Sequence, residues 1–186
     1  VTSRWAVFLS GRGSTAKAVM ENCAQLDIRL IVSSRKSAFG LVQARRQGIP
    51  SLVLERDVNW KHLHENLVAR RVQKIFLLGF MKIIPAEFIQ KWKGKIINVH
   101  PSLLPAFPGL EAMEKSFEQG KNMGVSVHVV TEEMDAGPLL LQNQVFSDVE
   151  LQQSLNVMSF EQAQTRMAFC EQRLIRRASE VNGAFL

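Results

Sequence analysis

Short apolar runs and amphipathic stretches alternate along the first hundred residues. Trp5-Ala6-Val7-Phe8-Leu9 is an apolar run that stops at a glycine-rich turn, Ser10-Gly11-Arg12-Gly13-Ser14-Thr15, and residues 16–25 are helical in pattern. A strand, a glycine turn and a helix in that order open a βαβ unit. Ile28 to Val32 and, after Pro50, Ser51 to Leu54 are the next strands. Between them a helix over about 38–47 ends at Gly48, a residue suited to the left-handed turn that closes many helices. Residues 60–71 place Leu63, Leu67 and Val68 at helical spacing. Lys74 to Leu78 and Ile96 to His100 are a fourth and fifth strand, and a short helix begins at Pro85, whose fixed φ suits a first turn. The alternation predicts an α/β fold with a doubly wound, mostly parallel open sheet and helices on both faces.

After His100 the pattern changes. A proline-rich segment over 101–109 leads to a helix over 112–119. Strands follow over 125–130 and 139–146, separated by the turn Asp135-Ala136-Gly137-Pro138, and one charged helix runs from about 160 to 178. No internal repeat, low-complexity tract or linker divides the chain, so the expectation is a single domain over 1–186.

Composition narrows the class without choosing a function. The 186 residues are 46% hydrophobic and 22% charged, ordinary for a globular domain with a core of its own. Cys23 and Cys170 have neither metal-ligand nor redox spacing and read as reduced, buried thiols. No apolar run reaches the length of a membrane span and no signal-like region opens the chain. The expectation is a soluble, cytoplasmic protein with no membrane partner. The net charge of +6 favours anionic ligands. Yet Arg45-Arg46, Arg70-Arg71 and Arg176-Arg177 fall on three separate predicted helices and read as solvated faces. They do not call for a nucleic-acid partner.

Four segments could carry chemistry. The turn Ser10 to Thr15 either cradles a phosphate with its N–H groups or is a tight strand-to-helix turn capped by Ser14 or Thr15. It is neither a Walker loop nor a full dinucleotide fingerprint. Asn98 and His100 alternate, so their side chains leave one face of a strand at its carboxyl end. That is where open α/β sheets bind ligands, and three prolines and a glycine stiffen the loop that follows. In Glu132-Glu133-Met134-Asp135-Ala136-Gly137-Pro138, Asp135 is best placed to reach a histidine, raise its pKa and fix its ring; the plain alternative is an acidic turn. Gly79-Phe80-Met81-Lys82-Ile83-Ile84-Pro85 is apolar where a surface loop is normally polar, which suits either core packing or a flat aromatic ligand.

These segments together, from about Trp5 to Phe146, resemble the glycinamide ribonucleotide formyltransferases, the folate-dependent enzymes of purine synthesis. The match is strongest in Ile97-Asn98-Val99-His100-Pro101-Ser102-Leu103-Leu104-Pro105-Ala106-Phe107-Pro108-Gly109-Leu110. It is also close in Gly79 to Ile83 and in Ser126 to Pro138. The resemblance implies a phosphate-binding half over about 1–100 and a catalytic and folate half over 101–186. It implies 10-formyltetrahydrofolate as co-substrate, a phosphorylated ribonucleotide as acceptor, no metal, and a monomer or weak homodimer. Asn98, His100 and Asp135 would be catalytic, with Asp135 keeping His100 charged and oriented. Gly13, Ser14 and Thr15 would hold the phosphate, while Met81, Lys82, Ile83, Ile84 and Asn98 would line the folate site. His128 matches a position beside the catalytic group. Glu171 is the nearest match to a residue that contacts the substrate ribose, and Lys61 is the nearest basic residue for the folate tail. Thr15 stands where the family usually has Asn, Lys82 where it has Arg, and Glu171-Gln172 where it has Glu-His. These departures keep open a formyltransferase acting on an amino sugar, or a weakly active ligand-binding homologue. Methionyl-tRNA formyltransferases and formyltetrahydrofolate hydrolases share the catalytic set, but usually with a further domain.

Overall fold

The computed structural model describes residues 3–11, 19, 26–155 and 157–180. In chain order the elements are β1 (Arg4–Leu9), β2 (Asp27–Ser33), α1 (Phe39–Arg46), β3 (Ser51–Val53), α2 (Trp60–Ala69), β4 (Lys74–Leu78), α3 (Ala86–Lys91) and β5 (Ile96–His100). Then come α4 (Ala112–Glu118), β6 (Gly124–Val129), β7 (Leu139–Gln144), α5 (Asp148–Ser154) and α6 (Phe160–Glu180). The strands form one seven-stranded sheet in the order β3-β2-β1-β4-β5-β6-β7. The first five are parallel, while β6 runs antiparallel to both β5 and β7. The expected α/β architecture is therefore present, and the strand order reverses at β1, between β2 and β4.

The central strands β1 and β4 are apolar on both faces because both faces are covered. Trp5, Val7 and Leu9 belong to a core shared with Ala44 of α1, Leu151 of α5, and Ala163, Met167 and Leu174 of α6. Ala6 and Phe8, the alternate residues of the same strand, face a second core with Leu63 and Leu67 of α2 and Phe88 and Ile89 of α3. Each buried Val, Leu, Ile, Met or Phe side chain among them stabilises the fold by about 1.5–3 kcal/mol. Trp5 stacks on Phe76 of the neighbouring strand with ring centroids 4.3 Å apart.

Local signals fix the ends. Gly48, at φ 67°, closes α1 as expected, and Pro85 immediately precedes α3. The sequence reading assigns no helix over 148–154. It is nevertheless signalled by Ser147-Asp148-Val149-Glu150, a capping box in which the Ser147 side chain accepts from the Glu150 N–H and the Glu150 carboxylate accepts from the Ser147 N–H. Cys170 is a free, buried thiol on α6, as expected, and burial pushes its pKa up. Cys23 lies outside the described residues, as do Gly13, Ser14 and Thr15 of the candidate phosphate turn. Among the described residues no helix is long and apolar enough to cross a membrane.

Candidate active site

Strand register assembles the site. Antiparallel pairing of β5 with β6 sets Asn98 directly opposite His128, and His100 opposite Ser126. Cross-strand partners have adjacent side chains, so an imidazole lies beside the Asn98 amide. The turn after β6 then folds back over both. It can close this tightly because residue 137 is glycine: a Cβ there would stand 1.8 Å from the Val129 carbonyl oxygen. Asp135 takes φ 51°, in the left-handed region, a conformation rare for non-glycine residues and found mostly where surroundings enforce it. Gly137→Ala is expected to push this turn off β6, costing about 3 kcal/mol or more of stability. Chemical denaturation checks the loss, and a variant as stable as the parent would contradict the crowding.

The result is one carboxylate shared by several groups. Asp135 Oδ2 accepts from the Gly109 N–H at 2.8 Å and lies 3.4 Å from His100 Nδ1. Its Oδ1 lies 3.3 Å from His128 Nε2 and 3.4 Å from Asn98 Nδ2. Asn98 Nδ2 also stands 3.1 Å from His128 Nε2, and His128 Nδ1 reaches the Val129 carbonyl at 3.1 Å. His100 Nε2 is 2.8 Å from the Phe107 carbonyl oxygen. A carbonyl only accepts, so Nε2 carries the proton and Nδ1 is the nitrogen free to gain or lose one. Asn98 and His100, selected from the sequence, thus each meet Asp135, and His128 joins them on the same carboxylate. Among the described residues no group of three or more His, Cys, Asp or Glu side chains is arranged to hold a metal.

The electrostatics correct one expectation. The sequence reading has Asp135 holding His100 in its charged form. In the structure the His100 pKa lies below its ordinary value. Burial is the largest cause, and the charge of His128 acts in the same direction; the Phe107 carbonyl and Asp135 oppose them without prevailing. The His100 side chain is only 5% exposed, and one carboxylate is divided between two imidazoles. His100 is therefore mostly neutral at neutral pH. Burial also opposes ionisation of Asp135, but hydrogen bonds from His128 and Gly109 and the two imidazoles outweigh it, lowering its pKa to about 2.

A buried polar network fixes the stiffened loop. Ser126 Oγ donates to the Ser102 carbonyl at 2.6 Å and accepts from the Leu104 N–H at 3.0 Å and from Gln142 Nε2 at 2.8 Å. Ser102 Oγ donates in turn to the Ala106 carbonyl at 2.6 Å. These bonds set the carbonyl that His100 meets. Sequence reading passes over them, since lone Ser and Gln residues carry no signal until β6 and β7 are paired.

The other predicted ligands are placed less closely together. Met81 and Ile83 are 62% and 83% exposed beyond β4, an uncovered apolar edge of the kind the sequence suggests. Ser10 Oγ, at the end of β1, accepts from the Met81 N–H at 2.8 Å and anchors that loop. Lys82 Nζ donates to the Arg56 carbonyl at 2.9 Å, beside a cleft of about 680 Å³ lined also by Ser34, Lys36 and Glu55. Ile84 is half-buried against the second core. Lys61 is exposed on the first turn of α2, and Glu171 is half-buried on α6 next to Cys170.

Known proteins resemble this chain over most of its length. The family model described as formyl transferase matches residues 3–175. The trifunctional purine biosynthetic protein adenosine-3 of Drosophila melanogaster is 40% identical over 152 residues, 75% of this chain but 11% of that protein. The chain thus spans about a tenth of the length of this relative. Phosphoribosylglycinamide formyltransferase of Escherichia coli is 35% identical over 150 residues, covering 75% of this chain and 71% of that protein. A crystal structure of phosphoribosylglycinamide formyltransferase from Anaplasma phagocytophilum superposes with a TM-score of 0.86 at 32% identity, covering 98% of this chain and 87% of that one. From its fold, its shared-carboxylate site and these matches together, the chain belongs to the formyl transferase family.

Proposed function

We propose that this protein transfers the formyl group of 10-formyltetrahydrofolate to the amine of glycinamide ribonucleotide, a step of purine biosynthesis. The observation that carries the reading is the Asp135 carboxylate bridging His100, His128, Asn98 and the Gly109 N–H at the carboxyl end of β5. The amine attacks the formyl carbon and a tetrahedral intermediate forms with its charge on oxygen. A neutral His100 is suited to take the amine's proton on Nδ1, directly or through water, because Nε2 is held by Phe107. The imidazolium so formed faces Asp135, stabilises the oxyanion and returns the proton to the departing folate nitrogen. Asn98 can turn an amide hydrogen to the same oxyanion by giving up its longer contact, the 3.4 Å one with Asp135.

In this reading Gly13, Ser14 and Thr15 hold the ribonucleotide phosphate and Glu171 its ribose. The pterin rests on the apolar loop Met81-Lys82-Ile83-Ile84, with Lys61 over the folate tail. The protein acts on small molecules in the cytoplasm, as a monomer or weak homodimer. Mixing it with 10-formyltetrahydrofolate and glycinamide ribonucleotide should release tetrahydrofolate, followed by absorbance. Release only with a nucleotide-linked amino sugar would replace the acceptor, and no release with any amine would overturn the proposal.

A further inference from the structure

The sheet edge opposite the catalytic group carries a cleft of about 480 Å³, where β1 and β2 begin and α2 ends. A strand of six residues separates it from the carboxyl edge, about 17–20 Å. Arg4, Arg29, Arg70 and Arg71 line it, with Asp27 as the lining carboxylate. Arg45 lies in an adjoining cleft that shares Gly48, Ile49 and Pro50 with it. Arg45 and the Arg70-Arg71 pair, which the sequence assigns to separate helix faces, are thus brought to one edge, because parallel strands force the crossover helices to return their carboxyl ends there.

Cations in a last helical turn complement the helix dipole, which accounts for part of this clustering. Two observations go further. Arg71 holds φ 54°, directly after the C-cap of α2, where glycine is the usual choice; Gly48, at φ 67°, fills the same position after α1. An arginine there holds a strained left-handed backbone that glycine would adopt freely. Two of the forks are also oriented in advance. Arg70 Nη1 donates to Asn66 Oδ1 at 2.9 Å, and Arg29 Nη2 to Asp27 Oδ2 at 2.6 Å.

We propose that this cleft binds a di- or triphosphate group, free or carried by a nucleoside. Four guanidinium groups against one carboxylate call for an anion of more than one charge, and planar forks match phosphate oxygens bidentately. The volume is that of a small-molecule site. Ile28, Ile49 and Pro50 supply an apolar wall for a base or ribose. Among the described residues no aromatic ring lines the cleft, so they offer no stacking platform of the kind single-stranded nucleic acid uses.

Titration calorimetry of the full chain with pyrophosphate, ADP and ATP, in about 0.15 M salt to screen weak surface contacts, tests this. Pyrophosphate is expected to bind, and the double variant Arg70→Gln/Arg71→Gly to lose at least about tenfold in affinity. Arg71→Gly keeps the left-handed backbone, and thermal melting confirms that the variant is folded. ADP binding tighter than pyrophosphate assigns a nucleoside to the apolar wall; equal affinities assign the phosphates alone. The double variant should keep the parent's rate of formyl transfer, which separates this cleft from the phosphate turn at residues 13–15. No binding of any of the three ligands, unchanged affinity in the double variant, a parallel loss of transfer rate, or displacement of pyrophosphate by single-stranded RNA would overturn the proposal.

Discussion

Replacing His100 by alanine is expected to lower kcat for formyl transfer by about 10²- to 10⁴-fold, the range for loss of a positioned acid–base group. The imidazole is the group whose free nitrogen, Nδ1, faces the shared carboxylate, while Nε2 is fixed on the Phe107 carbonyl. The Phe107 oxygen retains a longer contact, 3.4 Å, with the Ser102 hydroxyl, so the loop keeps a donor when the ring is gone. KM for both substrates should change much less than kcat, and thermal melting should show a folded protein. A near-normal rate in a folded His100→Ala variant would remove His100 from the mechanism.

The second large effect is that of Asp135→Asn. Turnover should fall by about 10²-fold or more, since the amide cannot stabilise an imidazolium as the carboxylate does. The pH dependence distinguishes this role from mere support. Asp135 raises the His100 pKa against the dominant effect of burial, so its removal lowers that pKa further. The acid limb of kcat/KM, already below the ordinary histidine value in the parent, should move to still lower pH in the variant. An unmoved limb would make Asp135 structural only. Stability provides an independent reading. A carboxylate whose pKa falls from 3.8 to about 2 on folding contributes about 2 kcal/mol. The contribution is complete above about pH 4, the unfolded value, and is lost as pH falls towards 2. Denaturant unfolding should therefore find the two proteins about 2 kcal/mol apart at pH 7 and converging near pH 2.

Much of the fold could be read from local pattern. Short apolar runs of four to eight residues gave the strands, because a strand covered on both faces is apolar throughout, and the helical spacing of Leu63, Leu67 and Val68 gave α2. The short helix over 148–154 is less visible, having one fully buried residue, Leu151, and therefore little periodicity. Its capping box was the better signal. Strand ends differed by a residue or two, as at Val53 and Gln144, where the apolar run and single backbone bonds, Leu54 N–H to the Ser33 carbonyl and Val145 N–H to the Met123 carbonyl, outlast the regular ladder.

The site divides in the same way. Alternation places Asn98 and His100 on one strand face, and a glycine two residues after Asp135 marks a tight turn; both are properties of adjacent residues and follow from the sequence alone. The contact between Asp135 and both imidazoles depends on the β5–β6 register, a pairing of residues some thirty positions apart. So does the Ser126–Gln142 network beneath the loop. The His100 charge state was beyond sequence for a further reason: it is a balance between burial and a nearby carboxylate, and neither burial nor distance exists before the chain folds. Arg70 and Arg71 at the opposite edge are another case, a solvated face when read on their own helix and part of one cleft with Arg4 and Arg29 once parallel strands align the element ends. The sequence by itself determined the α/β class, the strand carrying the reactive pair and the turn carrying its carboxylate. Tertiary structure alone decided which groups share that carboxylate and which of them holds a proton, because both depend on distances that only folding sets.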